Sequence, residues 1–266
     1  MAPRNRTWLK GCGIGCGIVI ILGLVGTFGA SMLFMGPMRD AIESREELES
    51  RHGDQAAYVP PADGAVTGDR LERFLRVRQD LMATCEGFEA TSRQFERMDE
   101  LSDDASSGEV LGEMKGLMGE VFGMVPRLGK FFEARNAALL SEDMGLGEYT
   151  YVYVCAYHDQ LRNAATSDEV FGDAEISRRA HQALRSMLQS QLAAMPPDHP
   201  QRPSLGEELD RLREHPRSLP WYHGLPATVS ASLEPHRARL DAVFCEFTTG
   251  LEFNTNRTRG PSVISE

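Results

Sequence analysis

Apolar positions along this chain fall into three regimes: an unbroken run near the N terminus, a charged and proline-marked interval, and a long series of three- and four-residue steps. The run from Gly11 to Met35 contains no charged side chain. At ~1.5 Å per residue a helix over residues 12–35 extends roughly 36 Å, more than the ~30 Å hydrocarbon core of a bilayer. The pattern therefore predicts an N-terminal transmembrane helix. A cleaved secretory signal is the rival, because Arg4, Arg6 and Lys10 form a cationic leader and Gly29 and Ser31 are small. Met32 to Met35 carry the apolar run past that point, which favours a retained anchor.

Residues 37–66 read as a stalk and linker. Positions 38–52 are charged helix formers with few apolar members, and 53–66 carry Pro60-Pro61 and Asp63-Gly64. From Thr67 the steps begin: Leu71, Phe74, Leu75, Leu81, Met82, Cys85, Phe88, Phe95, Met98 and Leu101 predict one long amphipathic helix. A second is predicted over about 109–140, with Gly112, Gly116, Gly119 and Gly123 as a strip for close helix approach. Residues 144–162 fit both periods. Tyr149, Tyr151 and Tyr153 alternate as in a strand, while Leu146, Tyr149, Tyr153, Tyr157 and Leu161 recur as in a helix. Helix is preferred, since a lone strand would leave its backbone groups unpaired. Further helices are expected over about 173–195, from a capping box at Ser204–Glu207 to about 214, and from Ser232 to about 247. The expected fold is all-α: a transmembrane helix (1–36 with its tail), the stalk (37–66), an irregular helical bundle domain (67–253) and a disordered C-terminal tail (254–266).

Charge adds orientation and excludes a partner class. The first 36 residues hold three basic residues and no acid, so of the 28 Lys and Arg in the chain 25 remain against 39 acidic residues. A domain that acidic repels phosphate backbones, which argues against nucleic acid. A short cationic N-terminal tail translocates poorly, so the domain after the anchor is expected on the exported, periplasmic or extracellular side. Gly11, Gly13, Gly15 and Gly17 give two overlapping G-x-x-x-G pairs, which would suit a homodimer through the anchor as well as plain glycine tolerance in lipid.

Chemistry is thin. Cys85, Cys155 and Cys245 are scattered and form no metal or redox motif, so buried thiols are expected, with one bridge and an odd thiol as the other reading. The chain has no H-E-x-x-H, no P-loop, no G-x-G-x-x-G and no G-x-S-x-G. Glu49/His52 and His158-Asp159 have ligand-like spacing but lack the further ligands a metal centre needs. No catalytic residue, metal or cofactor is assigned. Two features suit partner binding: the tyrosine stripe Tyr149, Tyr153 and Tyr157 with His158, and the Trp221-Tyr222-His223 segment between prolines. Each also has a structural reading, the stripe as core with hydroxyls at its rim and Trp221 as a plug beneath its loop.

Trp8-Leu-Lys-Gly-Cys-Gly-Ile-Gly-Cys-Gly17, Gly145–Tyr151 and Leu233–Leu240 resemble segments of uncharacterised bacterial single-pass membrane proteins. That resemblance implies a bacterial envelope setting and transfers no functional residue. The expected function is a membrane-anchored, non-catalytic binding or scaffolding protein, with lipid around residues 12–35 and an unknown protein or peptide as partner. The alternative is an envelope hydrolase with a dispersed active site.

Overall fold

The computed structural model describes residues 39–102, 126–164 and 173–253, with side chains over 39–90, 126–163 and 177–253. The predicted anchor, the glycine strip at 112–123 and the C-terminal tail lie outside the described residues. In chain order the helices are α1 (39–52), α2 Gly68–Ser102, α3 (126–141), α4 Leu146–Ala156, α5 His158–Ala164, α6 Asp173–Ala194, α7 Arg202–Glu214, α8 Ala227–Leu233, α9 Arg237–Ala242 and α10 Thr249–Glu252. Among the described residues there is no strand, and no helix is long and apolar enough to cross a membrane.

The bundle is organised around α4. Every residue of α4 except Glu148 is buried, so the helix has no solvent face. A helix apolar all round must be enclosed on all sides, and here Phe74 of α2 stacks on Tyr149 while Tyr58 packs on Tyr151. Gln55 reaches in to donate a 2.8 Å hydrogen bond to Thr150. This resolves the double periodicity of 144–162 in favour of helix. The first half of the α2 stripe holds as read, with Leu71, Phe74, Leu75 and Leu81 all buried, while the side chains of Phe95, Met98 and Leu101 lie outside the described residues. The α6 stripe also holds, with Ala180, Leu184, Met187 and Leu188 fully enclosed.

Three expectations need correction. The charged segment read as a stalk is not free: Leu48 and Ala41 are buried, and the buried Asn136 amide donates to the Ala41 carbonyl at 3.1 Å. Few apolar positions suffice to seat a helix when they lie a turn or two apart on one face. Second, α7 begins before the proposed capping box, with Pro203 in its first turn, and Ser204 Oγ donates back to the Gln201 carbonyl at 2.9 Å instead of capping. Third, no single helix runs from 232 to 247. The chain enters α8 at Ala227, so Pro235, which has no N–H to continue the ladder, falls past the end of α8 and forces a 3₁₀ turn over Glu234–His236.

Cysteines supply a covalent tie. Cys85 of α2 is bonded to Cys245, with Cα atoms 6.1 Å apart, and Cys155 is a free, buried thiol. The bridge joins the middle of α2 to the C-terminal turns across 160 positions of sequence. Of the two readings left open by the cysteine spacing, the bridge with an odd thiol is the one observed.

Candidate functional site

The tyrosine stripe lies in the interior. Tyr149, Tyr153 and Tyr157 are each 0% exposed and offer no surface to a partner. Their role is to line a buried ion pair. Arg78 Nη1 meets Glu252 Oε1 at 2.5 Å and donates to Tyr149 Oη at 3.1 Å, and Tyr149 donates in turn to Glu252 Oε2 at 3.0 Å. The Arg78 guanidinium also sits 5.2 Å from the Tyr153 ring centre and 5.6 Å from that of Tyr157, within cation–π range. Burial by itself would lower the Arg78 pKa, but the surrounding Tyr149 and Glu252 oxygens outweigh it and hold the group well above its ordinary value.

The second candidate, Trp221-Tyr222-His223, divides. Trp221 is buried and packs edge-on against Tyr151 with ring centres 6.3 Å apart, whereas Tyr222 and His223 are exposed. Trp221 therefore plugs the protein and its two neighbours form the tip of a loop. The loop after α7 is fastened from three helices. His158 of α5, buried, donates from Nε2 to the Pro220 carbonyl at 3.0 Å, since a carbonyl only accepts. His181 of α6 does the same from Nδ1 to the Ser218 carbonyl at 3.1 Å. On α7, Arg211 donates to the Leu219 carbonyl at 2.9 Å and Glu208 accepts the Trp221 N–H at 2.7 Å. Glu208 and Arg211 are themselves paired, with Nε to Oε2 at 2.9 Å.

Those bonds hold an otherwise unfavourable backbone. Trp221 has φ +54°, a left-handed conformation that costs a bulky residue about 1–3 kcal/mol. Burial lowers the pKa of both histidines, against the opposing pull of the Pro220 and Ser218 carbonyls, so the neutral, single-donor form is the one that fits. His158 thus serves as a loop strut. The carboxylate beside it is Asp159, its own chain neighbour at 3.8 Å, and among the described residues no acid from another helix pairs with it.

Two hollows flank the loop. Outside, Arg211, His215, Arg217, Tyr222 and His223 border a shallow depression of about 760 Å³. Behind Trp221 a more enclosed cleft of about 350 Å³ lies between the 62–64 turn, α6, α7 and the start of α8. Its walls include Asp63, Tyr151, Gln191, Glu208 and Trp221. No group of His, Cys, Asp or Glu among the described residues is placed to hold a metal ion.

No family model, no curated protein and no solved structure matches this chain. Sequence reasoning named the loop tip and His158 but missed His181, Glu208, Arg211 and Gln191. Each sits alone or in an i,i+3 charge pair on a helix, a pattern shared by any solvated face. What converts His181, Glu208 and Arg211 into loop fasteners is the return of residues 218–221 over α5, α6 and α7, while Gln191 holds the Pro61 carbonyl instead.

Proposed function

We propose that this protein is a membrane-anchored, non-catalytic binding or scaffolding protein of the bacterial cell envelope. Residues 12–35 would be the lipid-embedded anchor, with an option of pairing through Gly11, Gly13, Gly15 and Gly17. The helical domain would stand on the exported side and meet a protein or peptide partner at Tyr222 and His223. The observation that carries the partner face is the fastened loop. Four side chains from three helices hold residues 218–221, while the two residues that follow make their surface in solvent. A preorganised aromatic tip on a rigid base loses little entropy on binding, which is how recognition loops gain affinity. Support for the exported side comes from the Cys85–Cys245 bridge, because disulfides persist in oxidising compartments such as the bacterial periplasm.

The test is in-cell photo-cross-linking from position 222 of the full chain, with the exposed Asp80 on α2 as the control position. A discrete adduct from 222 that is absent from 80 is expected, and His223→Ala should weaken it. Equal adducts from both positions, or none from 222, would remove the partner face. A reporter fused to the C terminus checks the exported side separately, and cytoplasmic activity there would reverse the orientation.

A further inference from the structure

We infer that the cleft behind Trp221 is a binding site for the primary ammonium group of a small linear ligand. The site is distinct from the partner face at Tyr222 and His223, and does not depend on it.

The cleft is about 350 Å³, at the small end of the ~300–1,000 Å³ typical of ligand pockets. Its charged lining has one sign. Asp63 and Glu208 contribute carboxylates, and no Lys, Arg or His stands among its described lining residues. Glu208 is already engaged by Arg211 and the Trp221 N–H. Asp63 is exposed, and its Oδ1 accepts only the Ala65 N–H at 3.0 Å, in the turn that places it at the cleft. Its charge reaches the interior of the cleft, where it opposes ionisation of the Tyr151 hydroxyl alongside the larger effect of burial.

A second wall residue asks for a donor. Gln191 is 4% exposed, and its Nε2 is committed to the Pro61 carbonyl at 2.6 Å. Because that carbonyl only accepts, the amide cannot be reversed, and its Oε1 is left buried with no hydrogen-bond partner. A buried acceptor left unpaired is costly, and a ligand N–H that reached it from the cleft through a small shift of the amide would relieve it. Tyr151 and Trp221, meeting edge to face at 81°, add aromatic surface that favours a cation over an anion. A carboxylate or phosphate would meet Asp63 with like charge, and a neutral alcohol could donate a hydrogen bond to it but would lack the charge attraction an ammonium has. The net charge of −11 for the whole chain biases encounter in the same direction.

The chain has two tryptophans, so Trp8→Phe leaves Trp221 as a sole fluorescent reporter in the cleft wall. The full chain in detergent would be titrated at neutral pH with n-butylamine, n-butanol and butyrate, which share a size and differ in charge. A saturable change with the amine alone is expected. Asp63→Asn keeps the Oδ1 bond to Ala65 and removes only the charge, and should weaken the amine about tenfold or more, while Gln191→Leu should do likewise. Circular dichroism confirms that each variant is folded, and Asp63→Asn decides the matter if Gln191→Leu is not. Equal responses to all three probes, no saturable response in the wild-type cleft, or an amine response untouched by Asp63→Asn would each overturn the site.

Discussion

Arg78 and Glu252 stand 174 positions apart in sequence and form an ion pair whose two side chains are each 1% exposed. The same carboxylate has a second cation nearby, Arg135 Nη1 at 3.8 Å from Oε2, and the Glu252 backbone carbonyl accepts from Arg135 at 3.3 Å. Two guanidiniums thus share one carboxylate in the core. Glu252→Leu would leave both buried without their counter-charge, a loss of about 3–5 kcal/mol. Chemical denaturation should show this as a large drop in midpoint. Adding Arg78→Met should restore part of it, because only Arg135 is then left buried without its counter-charge. A double variant no more stable than Glu252→Leu would mean that Arg78 matters for its bonds to the Val243 carbonyl rather than for its charge.

The Cys85–Cys245 bridge spans 160 positions, and a loop of that length corresponds to about 5 kcal/mol in the chain-entropy account. The expected loss for Cys85→Ala with Cys245→Ala is somewhat smaller, about 2–5 kcal/mol, since the reduced chain retains structure. Urea unfolding with and without reductant measures it. Cys155 should behave oppositely to a reactive thiol: burial pushes it up to about 12, so at neutral pH iodoacetamide should label its peptide only after unfolding.

Acid should loosen the loop that carries Tyr222. His158 and His181 have folded pKa values below the ordinary 6.5, burial being the main cause. The unfolded chain therefore takes up these protons first. Stability from the neutral forms is present above about pH 6.5 and declines as pH falls below it. The His181 Nε2 is buried with no partner to accept a second N–H, which opposes its protonation in the folded state. Asparagine at 181 keeps a donor near the Ser218 carbonyl and cannot titrate. The denaturation midpoint of His181→Asn should accordingly fall less steeply with acid than the wild type, and parallel profiles would assign the acid sensitivity elsewhere.

Two helical glycines should respond to alanine with opposite signs. A Cβ on Gly147 of α4 would lie 2.4 Å from the Gln55 carbonyl oxygen and 2.6 Å from Tyr58 Cβ, the first a backbone atom that cannot swing away. Overpacking of that kind costs about 1–3 kcal/mol and exceeds the helix-propensity gain of about 0.5–1 kcal/mol. Gly206 of α7 has nothing within 4 Å of the same position, so only the propensity gain remains. Gly147→Ala should lower the thermal midpoint and Gly206→Ala should raise it. A raised midpoint for Gly147→Ala would show that residues 55–58 do not press on α4.

How far the sequence could be read depends on how local the physics was. The stripes of α2 and α6 were legible because burying one face of a helix leaves a three- and four-residue period in the chain itself. Residues 146–156 defeated that test, since burial on every face erases the contrast between inside and outside that periodicity measures. Leu48 was overlooked for the opposite reason, as one apolar contact in a charged helix carries no periodic signal even though it is fully enclosed. At the site, Tyr222 and His223 were found as an aromatic segment between prolines, but nothing in the chain marked His181, Glu208 and Arg211 as the groups that hold it.

By itself, then, the sequence determined the helical class, most helix positions, the acidic surface and the charge-free run over 12–35, all of which follow from residue type and spacing over a few turns. Only the tertiary structure decided which face of the tyrosine stripe met solvent, which turned out to be none. It also paired Cys85 with Cys245, seated Arg78 on Glu252 and set Gln191 and Asp63 in the walls of one cleft. Those relationships join residues separated by more than a hundred positions, and the chain records them only as isolated polar or thiol side chains. A partner chosen through space leaves no mark on the residues next to it in sequence, so neither its identity nor its distance can be inferred until the helices have packed.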